Sequence, residues 1–122
     1  MELFERLQPD FYYEDDRGWL AQLVHQGYEQ VNVLFTKAGV ERGGHYHKVS
    51  REAFFVVRGQ VEIILKKDEK WQMIRFSQGG FFEIEPRVIH RMRFPENCVL
   101  VAMYDVPIER PDGTKDIYAS EV

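Results

Sequence analysis

The sequence predicts an all-β fold, a sandwich or a small barrel, and three observations predict it. Almost every segment alternates apolar and polar residues with period two, or is rich in β-branched and aromatic side chains. Turn residues separate these segments at short intervals. No segment sustains a helical repeat for three turns. Strands this short and this numerous bury their apolar faces by stacking sheet on sheet or by closing a barrel.

Taken in order, the chain opens with "MELFERL", which suits a short helical turn or an added strand. Strand-like segments follow at "WLAQLV" (19–24), "QVNVLFTK" (30–37), "EAFFVVR" (52–58) and "QVEIILKK" (60–67). The second half adds "WQMIRFS" (71–77), "GFFEIEP" (80–86), "IHRMRF" (89–94) and "CVLVAMYDV" (98–106). Turns are expected at Gly39 with Gly43 and Gly44, at Gly59, at "KKDEK", at Gly79 with Gly80, at Pro86 and at "FPEN". The tail "VPIERPDGTKDIYASEV" is polar and turn-rich, and is expected to wrap the surface or to pack on a partner. No linker, internal repeat or low-complexity tract interrupts the pattern, so residues 1–122 are expected to form one domain.

Composition narrows the class of function. Hydrophobic residues make up 44% and charged residues 30%, the balance of a soluble globular chain. A formal net charge of −4 supplies no global positive field, which argues against nucleic acid or an anionic membrane as partner. The acidic opening "MELFERLQPDFYYEDDRGWL" lacks the apolar core of a secretory signal, and no later run approaches membrane-spanning length. A cytoplasmic location is the expectation. Cys98, the one cysteine, lies in the apolar run "CVLVAMY" with Glu96 as its nearest charge, the setting of a buried, inert thiol.

Successive strand residues point to opposite faces. If 45–47 are extended, His45 and His47 share a face and Tyr46 opposes them. Glu52 falls on the side of Phe54 and Val56, and His90 on the side of Met92 and Phe94. Three of the four histidines and one carboxylate therefore project toward an apolar interior. Two explanations compete. A single inward histidine is most often a core residue with a hydrogen-bond partner. A buried carboxylate without compensation is costly, and a bound cation removes that cost while using all three imidazoles. His25, alone in "LVHQGY", suits the structural explanation.

These residues resemble the motifs of the cupin superfamily. The first cupin motif, G-x5-H-x-H-x3-4-E-x6-G, is matched by Gly39, His45, His47, Glu52 and Gly59. The second is matched by Gly80, Pro86 and His90, with Val88 in place of its second glycine and Phe94 in place of its asparagine. The resemblance implies a double-stranded β-helix, the cupin jelly-roll barrel. It further implies that His45, His47, Glu52 and His90 hold a divalent metal inside it. Zinc, iron, manganese, nickel or copper suit such a donor set.

Two more stretches are similar to a narrower group. "FYYEDDRGWLAQL" resembles the opening of the sugar-nucleotide epimerase and 3,4-ketoisomerase cupins. "RGGHYHK" (42–48) resembles those ketoisomerases and the cupin domain of bifunctional capsular-polysaccharide enzymes. The implied chemistry is proton abstraction beside a ketone of a 4-keto-6-deoxy nucleotide sugar, in surface-polysaccharide biosynthesis. Metal-free relatives use one of the paired histidines as base, and a metal-bound histidine cannot take that proton. Glu52, which metal-free ketoisomerases tend to lack, favours the metal.

The base would then be another residue or a metal-bound water, with Tyr46, Tyr104 and His25 as candidates. Arg17, Arg42 and Arg87 are the candidates for a nucleotide diphosphate, whereas Arg91 and Arg93 alternate away from His90. An iron-dependent cupin dioxygenase and a non-catalytic small-molecule-binding cupin are the alternative functions. A homodimer packed through the aromatic "LFERLQPDFYY" segment is expected.

Overall fold

The computed structural model describes residues 2–120. Within them the chain forms twelve strands and no helix. The first six are β1 (Phe4–Arg6), β2 (Phe11–Asp15), β3 (Gly18–Gln22), β4 (Gln30–Thr36), β5 (Glu41–Tyr46) and β6 (Glu52–Arg58). The rest are β7 (Gln60–Lys67), β8 (Lys70–Ser77), β9 (Phe81–Ile84), β10 (Ile89–Arg93), β11 (Cys98–Tyr104) and β12 (Tyr118–Ala119). They build two five-stranded sheets, ordered β1-β9-β6-β11-β4 and β12-β5-β10-β7-β8, and a separate β2–β3 hairpin. Every named pairing is antiparallel. The result is the jelly-roll barrel that the motifs imply.

Period-two alternation places the core. On β7, Val61, Ile63 and Leu65 are buried while the residues between them are partly exposed. They meet Phe54, Val56, Phe82, Leu100, Met92 and Phe94 between the sheets. An aromatic column runs through this core, with Phe76 stacked on Phe82 at 4.0 Å and Phe82 on Phe54 at 5.4 Å. β6 departs from simple alternation because both of its faces are covered. Its outward residues Ala53 and Phe55 join Phe81 and Met103 in a second cluster beneath Leu23, Val24 and Tyr28.

Of the two forms expected for the N-terminal segment, it takes the added strand, β1, paired with β9. β2 and β5 were not among the expected strands. β5 was hidden because Gly43 and Gly44 read as a turn, whereas both lie inside the strand with positive φ (101° and 74°). A Cβ on Gly43 would stand 2.7 Å from the His90 carbonyl oxygen and 3.0 Å from Arg91 Cα. Only glycine permits this approach, at the point where the β5–β10 register shifts between His90 and Arg91.

The polar tail does wrap the surface, and it folds back on its own barrel. β12 pairs with β5, setting Tyr118 opposite Tyr46 and Ala119 opposite His45.

Candidate metal centre and its pocket

Four side chains meet at one end of the barrel. His45 comes from β5, His47 from the residue after it, Glu52 opens β6, and His90 lies on β10 opposite His45. One potential ligand atom from each falls within 4.8 Å of all the others. His47 Nε2 is 3.0 Å from Glu52 Oε1, and His90 Nε2 is 3.3 Å from the same oxygen. His47, Glu52 and His90 are buried, whereas His45 is half-buried.

The ring nitrogens that point away from the centre are held by backbone carbonyls. His47 Nδ1 is 2.7 Å from the Asp116 carbonyl oxygen and His90 Nδ1 is 3.1 Å from that of Val88. Each carbonyl takes an Nδ1 proton, which leaves Nε2 to face the centre. His90 Nε2 is the one buried side-chain polar atom among the described residues without a hydrogen-bond partner, because its approach to Glu52 lacks hydrogen-bond alignment. A buried donor atom left in this condition fits a cation. The donor set, three imidazoles and one carboxylate around a shared centre, fits it as well.

Electrostatics support the arrangement. Burial alone would raise the Glu52 carboxyl, but the His47 hydrogen bond and the close approach of His47 and His90 outweigh it and bring the group to about 2. For His47, burial acts downward, and the Glu52 hydrogen bond and charge reverse it to a net rise. His45 moves the other way, lowered to about 4 by burial and by the neighbouring His90.

A cavity of about 330 Å³ opens over the centre, lined by Arg42, His45, Glu52, His90 and Tyr104 together with apolar groups that include Phe54 and Ile117. Tyr104 is the one acid/base candidate that the fold brings to this pocket. Its ring meets that of His47 edge-on at 5.6 Å, and burial and the Glu52 charge push its phenol well above the usual range. Tyr46 does not line it, since it faces away and stacks on Tyr118 at 5.4 Å. His25 is at the surface, paired with Asp10 at 2.6 Å.

Of the candidate arginines, Arg42 lines the pocket, with Nε donating to Thr36 Oγ1 at 2.8 Å. Arg17 stands outside it on the β2–β3 hairpin, bound to Asp15 at 2.6 Å. Arg87 is exposed, and what it gives the site is its backbone N–H, which donates to the His47 carbonyl at 2.6 Å. Arg91 and Arg93 turn outward as alternation predicts, Arg93 to Glu41 at 2.8 Å.

In the turn before His90, Arg87 takes the left-handed conformation, at φ 72°, and its neighbour Val88, which stands where the motif has its second glycine, is buried. Sequence reasoning missed Asp116 and Ile117, because a single acid in a polar tail carries no pattern. Cys98 is buried, and burial pushes its thiol up to about 11, as expected for an inert group.

The fold is shared with proteins of known structure. The sugar 3,4-ketoisomerase QdtA from Thermoanaerobacterium thermosaccharolyticum, in complex with TDP, superposes with a TM-score of 0.82 at 19% identity, over 98% of this chain and 89% of its own. A 3,4-ketoisomerase from Helicobacter canadensis gives 0.76 at 19% identity, over 90% and 87%. The capsular polysaccharide assembling protein CapF from Staphylococcus aureus gives 0.69 at 24% identity, over 92% of this chain but 32% of its own. No curated protein sequence matches the chain. The family model of the polysaccharide biosynthesis C-terminal domain matches residues 13–94, a span that includes all four residues of the centre, and the chain belongs to that family.

Proposed function

We propose that this chain is an epimerase or isomerase of a 4-keto-6-deoxy nucleotide sugar, acting at a divalent-cation site made by His45, His47, Glu52 and His90. One observation carries the reading. Four donors converge, and three of them, His45, Glu52 and His90, line a largely apolar pocket that also holds a protonated phenol, Tyr104, and a guanidinium, Arg42. The fold shared with TDP-sugar ketoisomerases and the family's link to polysaccharide biosynthesis support it.

The chemistry follows from the groups. A C4 ketone acidifies the hydrogen on C3, and its removal places negative charge on the ketone oxygen. A bound divalent cation supplies Lewis-acid polarisation of that carbonyl. Tyr104 keeps its proton and donates a hydrogen bond where charge develops. Arg42, anchored on Thr36, has further N–H groups to offer a diphosphate. The apolar lining keeps water from the enolate.

His45 favours a second form of the same reading. It is the one member of the four that is only half-buried, and it is neutral above about pH 4. In a cation-free site it can take the C3 proton as base; bound to a cation it cannot. Incubating the protein in D2O with a panel of TDP- and UDP-linked 4-keto-6-deoxy sugars tests both forms. Deuterium appearing beside the ketone supports the proposal, and its loss or persistence under chelator separates the two. Binding without exchange would mean a sensor, and oxygen uptake a dioxygenase.

A homodimer accompanies this reading. Phe11, Tyr12, Tyr13 and Leu20 on the β2–β3 hairpin are exposed, and so are Val31, Val33 and Phe35 on edge strand β4. A two-stranded hairpin and an apolar edge gain stability when covered, and a second copy supplies the cover.

A further inference from the structure

The tail contributes more to the centre than a covering strand. Asp116 is buried, with 1% of its surface exposed, although it lies in a polar, turn-rich segment. Its carboxylate accepts three consecutive backbone N–H groups, from Lys48 (2.8 Å), Val49 (3.0 Å) and Ser50 (2.9 Å). Its backbone carbonyl accepts His47 Nδ1–H at 2.7 Å. One residue therefore grips a ligand ring and the turn that leads from that ligand to Glu52. The family match ends at residue 94, so Asp116 is not among the residues that assigned the family.

The rest of the tail holds Asp116 in place. Ser50 Oγ donates to the Val106 carbonyl at 2.8 Å, and Gln30 Oε1 accepts the Ile108 N–H at 2.9 Å. Residues 109–115 form a small antiparallel turn, with Arg110 N–H on the Thr114 carbonyl and Glu109 bridged to Lys115. Asp116 N–H then returns to the Ile108 carbonyl at 2.9 Å. Beyond it, Ile117 lines the pocket and Tyr118 begins β12. Arg110 Nη2, 3.5 Å from Oδ1, balances the buried charge.

We propose that Asp116 is a positioning residue for the centre: its carboxylate fixes the 48–50 turn while its carbonyl fixes the His47 ring, so that Nε2 faces Glu52 and His90. Without the carboxylate, three N–H groups, that of Ser50 fully buried, lose their acceptor and the turn relaxes. The ring then loses its fixed tautomer and tilt, the usual consequence of removing an outer partner from a ligating histidine. The inference rests on the cation-site reading for its consequence, but its geometry concerns the protein alone.

The test has two arms. In the wild-type protein, NMR should find a His47 Nδ1 proton in slow exchange and strongly protected amides at 48, 49 and 50. In Asp116→Asn these signals should broaden or exchange rapidly, and Co²⁺ affinity should fall about 10- to 100-fold. Tyr118→Ala, which disturbs the same tail but keeps every Asp116 bond, should stay within about threefold of wild type.

Wild-type amides at 48–50 that exchange freely, or a His47 ring protonated only on Nε2, would overturn the proposal even if Asp116→Asn fails to fold. Equal Co²⁺ affinity in wild type and Asp116→Asn would do the same. Absence of Co²⁺ binding in wild type, with the NMR signals as expected, would instead sink the cation reading and leave the positioning role standing.

Discussion

His45 and His90 stand opposite each other in the β5–β10 pairing, with ring centroids 4.5 Å apart. That closeness depends on Gly43, where the two backbones nearly touch. Gly43→Ala combines a positive φ with a Cβ 2.7 Å from the His90 carbonyl oxygen, so the strands must separate. The expected cost is about 1–3 kcal/mol, read from urea unfolding. The variant should also bind Co²⁺ more weakly than wild type.

Arg87 makes the opposite prediction. It holds φ 72° where glycine carries no Cβ penalty. Arg87→Gly should leave stability unchanged or raise it by up to about 1 kcal/mol. A clear loss in urea unfolding would show that the arginine side chain does more than its exposure indicates.

The protonation of His45 sets a pH signature for the cation-free protein. Its folded pKa lies near 4, below the ordinary histidine value of 6.5. The unfolded chain therefore binds this proton more readily between those values, and stability is lost as pH falls from about 6.5 to about 4. His45→Gln should flatten that part of a pH series of urea midpoints. An unchanged slope would mean that His45 is not kept neutral.

Tyr104 is assigned the donor role at the developing oxyanion. Tyr104→Phe removes the hydroxyl and keeps the ring that meets His47. Deuterium wash-in should slow about 100-fold, with substrate binding nearly unchanged. The corresponding change at Tyr46, which stacks on Tyr118 outside the pocket, should leave the rate within about threefold of wild type.

The dimer is tested on β4. Val33, 71% exposed and flanked by Val31 and Phe35, stands on an uncovered edge strand. Val33→Glu should shift light scattering from dimer to monomer by placing charge in the interface core. A wild-type protein already monomeric at working concentration would remove this surface from the account.

Much of the barrel was legible because alternation writes buried faces directly into a strand. Val61, Ile63 and Leu65 show it on β7. The four donors were legible for the same reason, aided by a motif spacing that the fold converts into proximity. β5 was not, because Gly43 and Gly44 signal a turn unless the neighbouring β10 backbone is known. β2 was hidden in an exposed aromatic stretch that shows no buried face. Asp116 was beyond reach, since its importance lies in contacts 66 to 69 residues away in sequence. Tyr104 was visible as a candidate, but only the β11–β6 register, which sets it opposite Glu52, gave it a place.

The central claim is that His45, His47, Glu52 and His90 form a cation site. Metal analysis of the purified protein beside His47→Ala, both kept free of chelator, tests it most directly. The account predicts about one transition-metal ion per chain in the wild type and little in the variant. Equal metal in both, or none in either, would contradict it and return the chemistry to a histidine base.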